Sequence, residues 1–138
     1  MVLGKIARDC NLAMNARFNC SRSARRSIKK AKHKLPACCE NIKLVLALNP
    51  IYGVEISGWN SLRKMRLAVP GLNCGKSGGY RLIYRAIMID EIWHIVFLRA
   101  FFKGDKEDLS HDKYFALAQE SESILSSTLD YEWEDFSS

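Results

Sequence analysis

The chain changes its hydrophobic period twice. Around residues 22–34 the apolar positions Ala24, Ile28, Ala31 and Leu35 recur at spacings of four, three and four, the repeat of a helix with one narrow buried stripe. Ser21 stands in front as an N-cap, because its hydroxyl can accept from a first-turn N–H that has no partner within the helix. Pro36 suits the first turn of a second helix, whose expected buried side is Ile42, Val45, Leu46 and Leu48 and which Asn49-Pro50 stops. Past Gly53 and Gly58 the period falls to two. In LRKMRLAV (62–69), Met65, Leu67 and Val69 fall on one face and Lys64 and Arg66 on the other. A loop rich in Pro and Gly leads to a strand over 79–89, and Asp90-Glu91 turns it into another over 92–102. Residues 13–20 predict a short first strand. Helical spacing returns over 110–127 through Tyr114, Leu117, Ala118, Ser121 and Leu125, and residues 130–138 have no clear period.

Two helices, then antiparallel strands, then a helix define an α+β class: a small antiparallel sheet with an N-terminal helical hairpin on one face and a C-terminal helix. With the hairpin on one side, the other sheet face is expected to be free to bind. The 138 residues suffice for one core, and 48% apolar content is that of a folded chain. The expected division is an N-terminal extension over 1–13, a folded domain over 14–127 and an acidic tail over 128–138.

Charge sharpens this picture. Residues 1–103 hold 19 Lys and Arg against 5 Asp and Glu, whereas residues 104–138 hold 2 against 10. A basic body with an acidic end suits binding to a polyanion, although a solvated, lopsided surface would look the same by charge alone. The helix over 22–34 carries Arg22, Arg25, Arg26, Lys29, Lys30, Lys32 and Lys34 around its narrow seam. Five cysteines, an odd number with no C-x-x-C pair, argue against a disulfide scaffold or zinc site and for a reducing, cytoplasmic setting. Cys38 and Cys39 could be redox-active, but packing is the commoner role for such residues. No apolar run approaches the length of a membrane span.

Residues 75–84, GKSGGYRLIY, combine two signals. G-K-S suggests a phosphate loop, but Pro70 stands where the first glycine belongs and a strand comes next where a helix is needed. The remaining signal is a strand with cations at alternate positions. Lys64 and Arg66 share a side, Arg81 and Arg85 stand together on the next strand, and Lys76 lies on the loop between. With Tyr80 and Tyr84 nearby, such a face suits a phosphodiester chain with unstacked bases. The plain alternative is a polar face that only keeps the sheet in water. His94 is a possible acid or base, though a lone histidine on an apolar strand is more often a packing residue.

Asn49-Pro50, Gly53, Ser57-Gly58, Leu62 to Arg66 and Gly75 to Tyr84, taken together, resemble the RelE/HigB toxins of type II toxin–antitoxin systems, in particular the HigB branch. Ile95 to Leu98, Lys103, Lys106 and Leu109 match the last strand of that branch and the segment after it. The resemblance covers about residues 48–110 well, the basic hairpin loosely, and neither end. It implies a ribosome-dependent mRNA endoribonuclease in which the 2′-oxygen of the RNA attacks the adjacent phosphate, with no metal and no cofactor. It also implies a cognate antitoxin, expected to be a helix-turn-helix protein, and contact with operator DNA only through that complex. The partners are then the ribosome and mRNA, with no membrane involved.

Carried over by position, Arg81 and Arg66 are the implied phosphate stabilisers and Lys64 is a second cation or a base. Gly104 occupies the place of a further basic residue, so Lys103 or Lys106 stands in for it. Ser110 replaces a tyrosine that some members use, with Tyr114 about a turn later. Arg25, Arg26, Lys29 and Lys30 are the expected grip on ribosomal RNA. Lys76, Tyr80, Tyr84 and Arg85 complete the expected RNA contacts. The rival reading is a non-catalytic module of the same superfamily, which inhibits by binding or only holds an antitoxin.

Overall fold

The computed structural model describes residues 15–31, 35–59, 61–67, 79–102 and 109–137. The elements run β1 (Ala16–Cys20), α1 (Arg22–Ala31), α2 (Leu35–Leu48), β2 (Val54–Glu55), β3 (Leu62–Leu67), β4 (Tyr80–Ile89), β5 (Ile92–Phe102) and α3 (His111–Ser137). The strands form one sheet in the order β1-β5-β4-β3-β2. From β2 to β5 the pairing is antiparallel, and β1 joins in parallel, with Ala16 opposite Trp93 and Cys20 opposite Phe97. Asp90 and Glu91 form the β4–β5 turn with φ of 52° and 66°. Two positive φ values match the twist of a two-residue hairpin, and the β4–β5 register depends on them.

Ser21 joins β1 to α1. Its N–H donates to Phe97 O (2.9 Å), and its hydroxyl donates to Leu98 O (3.1 Å) and accepts from Ala24 N (3.0 Å). One buried serine thus caps the helix and completes two carbonyls of β5. Ser27 continues this, its hydroxyl accepting from Ala100 N at 2.9 Å. Where β1 ends, α1 takes over the cover of the β5 edge.

The first core lies between the hairpin and one sheet face. Ala24 and Ile28 of α1 and Cys39 and Leu46 of α2 meet Met65, Leu67, Leu82, Tyr84, Ala86, Ile95, Phe97 and Ala100. The α2 seam differs from the expected one. Cys38, Cys39 and Leu46 are buried, with Ile42 packed beside them, whereas Val45 is 36% and Leu48 55% exposed. The helix carries two adjacent apolar stripes, and its spacing alone does not choose which one meets the sheet.

The second core corrects a larger expectation. The other sheet face is not free: α3 packs on it through Tyr114, Leu117 and Leu125 against Leu62, Ile83, Val96 and Leu98. Trp59, in the β2–β3 loop, holds the start of the helix through His111 and Phe115, with ring centroids 5.1 and 6.1 Å away. The helical backbone also continues to Ser137, past the expected end at 127. Nothing in 111–137 is Gly or Pro, so propagation needs no further apolar period. No helix among the described residues is long and apolar enough to cross a membrane.

Candidate active site on the sheet face

Strand register decides which cations meet. In the β3–β4 pair Arg66 lies directly opposite Arg81, Lys64 opposite Ile83, and Leu62 opposite Arg85. Opposite residues of an antiparallel pair point to the same side, so Lys64, Arg66, Arg81 and Arg85 share the face on which α3 packs. Arg66 and Arg81 stand as direct neighbours, and Lys64 is the diagonal neighbour of Arg81, about 7–8 Å away by sheet geometry. Like charges directly opposite each other destabilise a sheet. This pair is a local cost that folding does not require.

The three cations differ in surroundings. Arg66 is exposed and Lys64 half-buried, while Arg81 keeps only 7% of its surface. Burial, and then the nearby Arg66 charge, lower the pKa of Arg81 from its ordinary value. A guanidinium remains a cation even so, and a desolvated one holds an anion more strongly. Its Nη1 donates to the carbonyls of Gly79 and Tyr80, both at 3.4 Å. Bonds of that length are weak, but they tie the guanidinium to the backbone where β4 begins.

Arg85 is not part of this group. Its Nε donates to Ser61 Oγ (2.8 Å), and its Nη1 to Ser121 Oγ (3.0 Å) and to the Glu122 carboxylate. It clamps α3 and the β2–β3 loop onto β4, so the structure gives this expected RNA contact a structural role. Tyr84 has one too. It is fully buried in the hairpin-side core, its hydroxyl donating to Pro50 O at 3.0 Å and accepting from Gly53 N at 2.7 Å. A Cβ on Gly53 would lie 2.9 Å from the Tyr84 ring and hydroxyl, so the motif glycine is there to admit that tyrosine. Tyr80 is half-buried on the same hairpin side, edge-on to Phe102 at 5.2 Å. Alternation sends both tyrosines to the face opposite Arg81.

The LRKMR motif divides in the same way. Arg63 turns to the other side of the strand, where its Nη1 donates to Gly53 O (2.7 Å) and Ile51 O (3.3 Å) and anchors the chain before β2. His94 is buried opposite Ile87, six residues along β4 from Arg81, and so takes no part in the cation group. Arg25, Arg26, Lys29 and Lys30 are all exposed on α1. Lys76, Lys103 and Lys106 lie outside the described residues. Burial pushes the Cys39 thiol up to about 11, with Cys20 and Cys38 adding to the shift. Cys39 is buried in the first core and packs there as a small apolar side chain.

One basic residue escaped sequence reading. Arg99 of β5 lies opposite Ile83, which itself lies opposite Lys64, and Phe101 lies opposite Arg81. Three adjacent strands therefore bring Lys64, Arg66, Arg81 and Arg99 to one region. The register shift at Ile83/Tyr84 hid this, because simple alternation along β5 fails there. Among the described residues, no group of three or more His, Cys, Asp or Glu could hold a metal ion.

No protein-family model matches the sequence, and no curated protein matches it. Among solved structures, the chain is similar to an arginine-to-alanine double mutant of the E. coli toxin RelE in the free state. The two share 19% identity with a TM-score of 0.47, over 65% of this chain and 85% of that one.

Proposed function

We propose that this chain is the toxin of a type II toxin–antitoxin system, an endoribonuclease that cuts mRNA on the ribosome and is held inactive by a cognate antitoxin. The observation that carries the reading is the cross-strand pair Arg66–Arg81 with Lys64 diagonal to it. A protein that only needs a polar surface has no reason to place two guanidinium groups opposite each other and bury one. A reaction that gathers negative charge on one phosphorus does. The sequence resemblance to the RelE/HigB toxins adds the substrate and the partners.

In this reaction the 2′-oxygen of the RNA bonds to the neighbouring phosphorus as its proton leaves, and the bond to the 5′-oxygen breaks as that oxygen is protonated. The products are a 2′,3′-cyclic phosphate and a 5′-hydroxyl. Arg81, desolvated, and Arg66, exposed at the surface, are the donors for the charged phosphoryl oxygens. Lys64 is the second cation or the base. Lys103, in the segment after β5, is the further cation of the assignment. The ribosome aligns the RNA, which is a large part of any such barrier.

The reading is tested by inducing expression and mapping mRNA 5′ ends. Cuts inside translated codons that disappear in Arg81→Ala support it. Growth arrest with intact transcripts would instead establish the rival, a module that inhibits by binding.

A further inference from the structure

The β5 edge beyond Phe97, the last residue that β1 pairs, opens into a cavity of about 400 Å³. Its cations are Lys30 of α1 and Arg99 of β5, and Phe101, Phe102 and Tyr80 supply aromatic walls. Lys30 is exposed, and the buried Nε of Arg99 has no hydrogen-bond partner among the described residues. Ser27 seals the floor, its hydroxyl bonded to Ala100 N at 2.9 Å. The cavity lies within the range of small-ligand pockets, and its lining combines cations with flat apolar groups. That combination fits one nucleotide unit: a phosphate on the cations and a base against the rings.

Its position says which nucleotide. Phe101 is the cross-strand neighbour of Arg81, and Arg99 lies two residues further along β5. From strand spacing and rise, Arg99 and Arg81 are roughly 8 Å apart at Cα, about one step of an extended RNA strand. On its other side the cavity meets α1, with exposed Arg26 and Lys29 beyond Lys30. The two basic regions of the protein, sheet face and helix, therefore meet at this cavity.

We propose that the cavity between α1 and the β5 edge is a nucleotide subsite, in which Arg99 and Lys30 bind the phosphate next to the one held by Arg81 and the aromatic walls receive its base. It deepens the proposed nuclease reading and rests on it for the identity of the ligand as RNA. The subsite contributes binding, whereas Arg81 and Arg66 contribute to the chemical step.

The experiment measures anisotropy of a short fluorescent single-stranded oligonucleotide whose sugars are all 2′-deoxy, so that no 2′-oxygen can attack. Wild type, Arg99→Ala, Lys30→Ala and Arg81→Ala are titrated at several salt concentrations, and RNA cleavage on programmed ribosomes is measured in parallel. Arg99→Ala and Lys30→Ala should each weaken binding by about tenfold and lower the salt slope, the two changes together by about 0.7, the value of one phosphate contact on a single strand. Arg99→Lys should restore the slope. Unchanged affinity and slope in both alanine variants would overturn the subsite, as would failure of the wild type to bind. If cleavage depends on Arg81 while binding ignores Arg99 and Lys30, the nuclease reading stands and the subsite falls. If binding depends on them and no ribosome-bound RNA is cut, the subsite stands and the nuclease reading falls.

Discussion

At the scale of single residues, the most informative feature is a conflict. Arg66 and Arg81 repel each other across a strand pair, yet the fold keeps both. If that repulsion is retained for function, relieving it should raise stability while lowering activity. Arg66→Gln is expected to stabilise the fold by about 0.2–1 kcal/mol in urea denaturation and to slow RNA cleavage at the same time. A variant that loses stability and keeps its rate would contradict this. The buried tyrosine behaves differently. Tyr84→Phe removes the partner of both Gly53 N and Pro50 O, and should cost about 1–3 kcal/mol without changing affinity for RNA. Cys39 gives a pH dependence. Its folded pKa is raised above its unfolded value, so the native state holds the proton more tightly, and the stabilisation is complete below about pH 9. It is lost as pH rises toward about 11, and Cys39→Ala should flatten that part of the stability curve relative to wild type.

At the scale of elements, much was legible and the exceptions share a cause. The first helix, described over 22–31, the alternation in 62–67 and the Asp90-Glu91 turn could all be read, because each is set by local spacing or turn chemistry. The placement of Lys64 and Arg66 on one face followed from alternation alone. Alternation could not show the partner across the gap, which depends on register. Register made Arg66 and Arg81 neighbours, added Arg99 and spent Arg85 on α3. The exposed Val45 and Leu48 and the covered second sheet face have a tertiary origin too, since a stripe does not name its partner. The role of Arg85 as a clamp is testable on these terms. Arg85→Ala should lower stability by about 1–2 kcal/mol, the discount reflecting the exposed Glu122, and should leave the salt slope of RNA binding unchanged. A reduced slope with full stability would return Arg85 to the RNA surface.

At the scale of the whole molecule, the charge is divided between ends of the sequence, 19 cationic against 5 acidic residues before position 104 and 2 against 10 after it. The exposed cations of α1 belong to that excess and lie on a different element from the sheet site. Neutralising Arg25, Arg26, Lys29 and Lys30 together should abolish co-sedimentation with ribosomes at low salt, and unchanged binding would refute a role for α1 in the grip. The central claim concerns the sheet face alone, that two opposed guanidinium groups seat one phosphoryl group. Its most direct test is single-turnover cleavage of mRNA on programmed ribosomes by wild type, Arg66→Ala, Arg81→Ala and the double variant. Each single change should slow the chemical step by at least about 10²-fold, and the double variant should be slowed by less than the product of the two, because both act on the same charge. Cleavage by Arg81→Ala at the wild-type rate would contradict the account.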